Sequence, residues 1–122
     1  MNASFKSYRD LEVWRKAMSL TREIYTATAL YPNEEKFGLV SQMRRAAVSI
    51  PSNLAEGHAR RGAGEFKHFI SIATGSVAEL ETQVILSADL GFLDRSMEND
   101  LLRRLDEIGK MLRGLYKSLT MK

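Results

Sequence analysis

The chain of 122 residues contains no cysteine. Thiol nucleophiles, disulfide staples and thiolate-held zinc are therefore excluded together. Only two prolines, Pro32 and Pro51, interrupt it, and no stretch alternates β-branched with polar residues, so the pattern reads as helical from end to end. No run approaches the roughly 18 apolar residues of a membrane span, and "MNASFKSYRDLEVW" lacks the apolar core of a secretory signal. The expectation is a cytoplasmic protein without a membrane partner. Aromatic residues make up 8% of the chain and form no visible platform for stacking bases. A formal charge of +3 and a sequence pI near 9.3 tilt the choice of partner toward anionic surfaces.

What is present suits a single domain, large enough to bury a core without metal or disulfide help. Helical spacing marks four segments, 8–28, 37–59, 63–89 and 95–119, joined by short connections. The first places Leu11, Trp14, Met18, Thr21 and Tyr25 on one face, the third Phe66, Ile70, Ala73, Val77, Leu80 and Val84, the fourth Leu101, Leu105, Ile108, Leu112, Leu115 and Leu119. Gly91 stands where the third segment needs a C-terminal cap. The predicted fold class is all-α, an up-down-up-down antiparallel four-helix bundle.

The second segment is apolar on most sides. Val40, Met43, Ala47, Ile50 and Leu54 form its seam, while Ala46, Val48, Pro51 and Ala55 keep the neighbouring faces small or apolar. A bundle helix normally exposes one face, so this surplus implies a covering subunit. Pro51 costs about 3 kcal/mol in a helix interior through a lost hydrogen bond to the Ala47 carbonyl, and the expectation is a packed kink, the alternative a break into two helices. Gln42, Arg45, Ser49, Ser52 or Asn53, Glu56 and Arg60 make a polar line beside the seam. Glu79, set among apolar residues of the third segment, is expected to meet Arg44 or Arg45, because an unpaired buried carboxylate is costly. Ser71, Gly75, Ala78 and Thr82 form a small-residue face that would let another helix approach. Arg44, Arg45, Ser49, Asn53, Glu56 and Glu79 are thus read as a polar network fixing register or subunit pairing, with a binding groove as the alternative.

Signals for chemistry are sparse. "EFKH", 65–68, matches the Glu-x-x-His element of di-iron bundles, but the second element is missing: His58, the other histidine, has Ala55 three residues before it. "GHARRGAG", 57–64, has glycine spacing without the lysine and Ser/Thr of a phosphate loop, and reads as a connection tipped by Arg60 and Arg61. No catalytic residues, metal ligands or cofactor are expected. On the fourth segment, Arg103, Lys110 and Lys117 share one heptad position and form a basic line, read either as a solvated face or as a phosphate contact.

The blocks "YRDLEVWRKA", "QMRRAAVSIPSNLAEG", "FISIATGSVAELET" and "EIGKMLRGL" resemble the four-helix-bundle proteins encoded within intervening sequences of bacterial 23S ribosomal RNA genes. The middle block, with Arg44, Arg45, Ser49, Pro51, Asn53, Glu56 and Gly57, carries most of the likeness. The resemblance implies a homopentameric ring, and it extends to accessory proteins of diversity-generating retroelements, rings thought to hold nucleic acid and a reverse transcriptase. The leading expectation is a non-enzymatic oligomer that binds RNA or DNA electrostatically through Arg60, Arg61, Arg103, Lys110 and Lys117. The alternative is a protein-interaction scaffold, with Trp14 and Tyr25 as candidate anchors, holding a nucleic-acid-processing partner. An enzyme built on Glu56, Glu79 and His68 is the third reading.

Overall fold

The computed structural model describes residues 7–120, which form four long helices and no strand among the described residues. Helix α1 is Glu12–Thr28, α2 Leu39–Ala59, α3 Ala63–Asp89 and α4 Arg95–Thr120. Each packs on the next in chain order and α1 closes against α4. Cross-helix pairs fix an antiparallel register: Ser49 with Ser76 at 2.8 Å, Ser87 with Met43 at 3.4 Å, Lys16 with Glu107 at 3.4 Å.

Helix ends follow local chemistry. The first predicted segment starts with a separate 3-10 turn, Tyr8–Asp10, because Ser7 and Asp10 cap it reciprocally and Leu11 is extended. At the close of α3, Gly91 takes a φ of 82°, which a side chain resists. The amide of Phe92 then reaches the Ser87 carbonyl at 2.9 Å and that of Gly91 the Ala88 carbonyl at 3.1 Å, a Schellman termination. Asp94 opens α4 by accepting the Met97 amide at 2.8 Å.

Leu20, Ile24, Met43, Ile50, Leu54, Ile70, Leu80, Leu101 and Leu105 are fully buried in one core. The seams predicted for α2, α3 and α4 hold, apart from partly covered ends at Phe66, Leu115 and Leu119. The α1 seam needs correction. Besides Leu11, its buried face is Val13, Ala17, Leu20, Ile24 and Thr28, one step away from the predicted Trp14, Met18, Thr21 and Tyr25. Two stripes of equal spacing run side by side there, and the aliphatic one wins the centre. Trp14 packs edge-on to Tyr8 at the boundary, and Tyr25 is exposed beneath the Arg44 guanidinium.

Helix α2 runs unbroken through Pro51, so the two-helix alternative does not occur. Pro51 has no N–H for the Ala47 carbonyl. That oxygen instead lies 3.2 Å from the Thr21 hydroxyl, whose proton is shared with the Ala17 carbonyl at 2.8 Å. A residue of α1 thus satisfies the acceptor that proline strands on α2. Thr21→Val should lower unfolding free energy by about 1–3 kcal/mol, the cost of a bare buried acceptor. In a Pro51→Ala background, where an amide is restored, the same change should cost less than half as much; a denaturant double-mutant cycle reads the coupling.

The surplus face inferred for α2 is smaller than the sequence suggested. Ala46, Ala47, Ile50, Pro51 and Leu54 are all buried by the protomer's own helices, which leaves Val48 and Phe37 exposed and Ala55 half-buried. The larger uncovered apolar face belongs to α3. Ile72, Ile85, Leu86 and Leu90 keep between 40% and 54% of their surface, and Ser71, Gly75, Ala78 and Thr82 beside them are not buried. The small-residue face meets no other helix among the described residues. Close α2–α3 approach comes at Gly57 instead, where a Cβ would stand 2.7 Å from the Phe69 Cβ and 3.0 Å from the Phe66 ring.

Candidate nucleic-acid interface

The polar line of α2 resolves into separate contacts. Ser49 meets Ser76 across the α2–α3 seam, and Asn53 Nδ2 donates to the Ser49 hydroxyl at 2.9 Å and carbonyl at 2.7 Å, which holds the serine in place. Arg44 turns toward α1, donating to the Thr28 hydroxyl at 2.9 Å and the Tyr25 carbonyl at 3.2 Å while stacking 4.4 Å over the Tyr25 ring. The expected pairing of Glu79 with Arg44 or Arg45 is therefore not made within the protomer. Glu79 is exposed and accepts only the Gln83 amide, at 3.3 Å; Arg45 is exposed and has no ion pair or hydrogen bond among the described residues. Glu79 stands on the outer side of α3, where water already solvates it, so the premise of a buried carboxylate fails.

Two candidate cations lie at the end of the bundle where α2 passes into α3. Arg60 is bound to Glu56 at 2.9 Å and Glu65 at 3.5 Å, over the Phe69 ring at 5.3 Å. Its charge is largely answered. Arg61, just past the end of α2, has a φ of 66° in the left-handed region, and its side chain is exposed with no partner among the described residues. Glu65, the acid of the suspected metal element, thus faces Arg60, while His68 packs edge-on to Phe69 and His58 to Phe66. Among the described residues no three of His, Cys, Asp and Glu gather. Glu56, Glu79 and His68 each keep a different neighbour and form no common site.

The basic line of α4 is divided. Arg103 is held by Asp100, and Lys110 by Asp106 at 3.2 Å, both within the helix. Lys117 is exposed and free of carboxylates among the described residues. At about 1.5 Å per residue, Arg103 and Lys117 stand roughly 21 Å apart. The structure therefore separates Arg103 from Arg60, Arg61 and Lys117, which share one end, and leaves Lys110 midway along α4 between Arg103 and Lys117. The antiparallel register adds Lys67, whose amine lies 5.8 Å from the Tyr116 ring, and Arg9, which precedes α1 at the same end. Sequence reading missed these two because they lie far apart along the chain. Only the rule that the start of α1, the end of α2, the start of α3 and the end of α4 share one end would have gathered them.

The opposite end holds Glu34, Glu35, Asp89, Asp94 and Asp100 together with the cations Lys36, Arg95, Arg103 and Arg104. Arg95 bridges Asp89 at 3.1 Å and the buried Glu98 at 2.9 Å, and these bonds hold its guanidinium above its ordinary pKa. Desolvation pushes the Asp100 carboxyl up, but the hydrogen bonds and charges of Arg103 and Arg104 together outweigh it and leave the group below the usual aspartate range. Its contribution to stability is present above the unfolded-state pKa and fades as pH falls through the lowered one.

The profile of proteins described as 23S rRNA-intervening sequence proteins matches residues 9–114. The chain belongs to this family. A solved structure of a protein of unknown function from the S23 ribosomal protein family of Bacteroides thetaiotaomicron superimposes with a TM-score of 0.80, at 24% identity over 86% of this chain and 95% of that one. At that identity the likeness establishes the fold. Among curated proteins nothing matches. Across this member of the 23S rRNA-intervening sequence family, the matched region takes in all of α1, α2 and α3 and most of α4, so most of the basic end and the whole uncovered α3 face lie within it.

Proposed function

We propose that this protein is a non-enzymatic, self-associating helical module of the cytoplasm that holds RNA or DNA electrostatically at its basic end. The observation that carries the reading is a pair of unanswered cations at one end of the bundle. Arg61 and Lys117 offer cations without carboxylate partners among the described residues, and Arg9 and Lys67 belong to the same end. A partner chain bearing phosphates is attracted to them. Self-association multiplies the effect, since several copies presenting the same end to one strand convert weak contacts into avid binding. The contact is independent of base sequence, because it is made to phosphates.

A fluorescence-anisotropy titration with a labelled single-stranded RNA and a DNA of equal length tests this. Affinity should be comparable for the two and should drop steeply between about 50 and 200 mM salt, as counterion release requires. Absence of binding at the lower salt would remove the proposal.

A further inference from the structure

The end of the bundle that carries Arg61 and Lys117 also gathers aromatic rings. Tyr8 precedes α1 and Trp14 lies in its first turn, Phe66 and Phe69 fall within the first two turns of α3, and Tyr116 within the last two of α4. Most of these rings are used by the fold itself. Tyr8, Trp14 and Phe66 pack against the core, and Phe69 lies beneath the Arg60 guanidinium at 5.3 Å. Tyr116 differs from them. It comes one position after the seam residue Leu115, so the helix turns it away from the core, and it is 40% exposed. A lone exposed tyrosine is ordinary on a protein surface. This one stands beside two cations that no carboxylate answers among the described residues: Lys117, next in the chain, and Lys67, whose amine is 5.8 Å from the ring centre.

An open ring between free cations suits a ligand that joins a flat ring to an anion. Each nucleotide of a single strand supplies both. A duplex supplies the phosphates but keeps its base faces stacked on one another, and an acidic peptide supplies charge without the ring. We propose that Tyr116 is a stacking site for a base of single-stranded nucleic acid, with Lys67 and Lys117 on the adjoining phosphates. This rests on the nucleic-acid binding proposed above and names the strand form that is held and the residue that selects it. Lys67 has only to exchange partners. Its amine is attracted weakly to the ring at an exposed site, and its flexible stem lets it leave. The incoming base takes the ring, and the amine takes a phosphate. Because every base has a π-face, such a site remains tolerant of sequence.

The test is fluorescence anisotropy on the full chain with two labelled strands of equal length, oligothymidine and an abasic strand that has the same phosphates but no bases. The wild type should bind oligothymidine about tenfold more tightly than the abasic strand. Tyr116→Leu should keep the helical signal and lose that preference, while the salt dependence stays as in wild type because no charge is removed. Tyr116→Phe should keep the preference, since the ring and not the hydroxyl makes the contact. Lys67→Gln should weaken oligothymidine binding and reduce its salt slope by about one. Equal affinity of the wild type for the two strands, or a Tyr116→Leu protein that still prefers oligothymidine, would overturn the inference and leave electrostatic binding standing. An unchanged slope in Lys67→Gln would overturn the exchange of partners. No binding of either strand at low salt would defeat the underlying reading instead. Irradiation of the wild-type chain with a strand carrying photoreactive thiothymidine reads the same contact without any substitution. The cross-link should map to Tyr116, and cross-links confined to other residues would contradict the assignment.

Discussion

Gly57→Val is expected to lower the free energy of unfolding by about 3 kcal/mol, the upper part of the range for forcing extra volume into a packed core. Two effects compete at this position. Replacing glycine in a helix with a residue that has a Cβ ordinarily gains up to about 1 kcal/mol of helix propensity. Here that Cβ would stand 2.7 Å from the Phe69 Cβ, an atom fixed to the α3 backbone, and 3.0 Å from the Phe66 ring, so the two helices must separate. The clash wins, and valine adds two more methyl groups to it. Gly114, with nothing within 4 Å of an added Cβ, supplies the contrast within the same molecule. Gly114→Ala should raise stability by about 0.5–1 kcal/mol through propensity alone. Equilibrium denaturation of the three proteins reads both signs, and a Gly57→Val variant as stable as wild type would show that α2 and α3 can part there without loss.

The close approach at Gly57 was not legible in the sequence, where that residue looked like part of a flexible connection. Periodicity reports which residues share a face but not how near the facing helix comes. The boundaries of α3 were legible because Gly91 and the run of seam residues agree, and so were the seams of α2 and α4. On α1, two parallel stripes of equal spacing compete, and aromatic size drew the reading to Trp14 and Tyr25 when the smaller Ala17 and Thr28 were the buried ones. Glu79 was misjudged for a related reason. Its apolar neighbours in sequence suggested burial, but Ala78 and Thr82 line an outer face that is exposed among the described residues. The candidate basic site was half legible. Arg60 and Arg61 stand together in the chain, whereas the gathering of Lys117, Lys67 and Arg9 with them follows from antiparallel topology, and the carboxylates that answer Arg60, Arg103 and Lys110 are visible only in the folded helices.

Reversing the charge of Arg61 and Lys117 together, Arg61→Glu with Lys117→Glu, should weaken nucleic-acid binding by about ten- to a hundredfold near 50 mM salt and make the dependence on salt shallower. Both side chains are exposed and have no partner to lose among the described residues, so the fold should be unaffected. Glutamate at position 61 inherits the same left-handed backbone as arginine, so no new strain is introduced. Arg103→Glu provides the comparison. That arginine is already engaged by Asp100 and stands roughly 21 Å along the helix from Lys117, so its loss should change affinity by less than about threefold. Equal losses from the two variants would mean that the α4 line, rather than the end of the bundle, carries the contact.

The apolar outer face of α3 has no cover among the described residues, and association of copies would supply one. Sedimentation equilibrium of the wild-type chain over a wide range of protein concentration tests this most directly. The predicted result is a defined multiple of the 13.8 kDa protomer at micromolar concentration. A species of 13.8 kDa that persists to the highest soluble concentration, with Ile72, Leu86 and Leu90 still open to water, would contradict it.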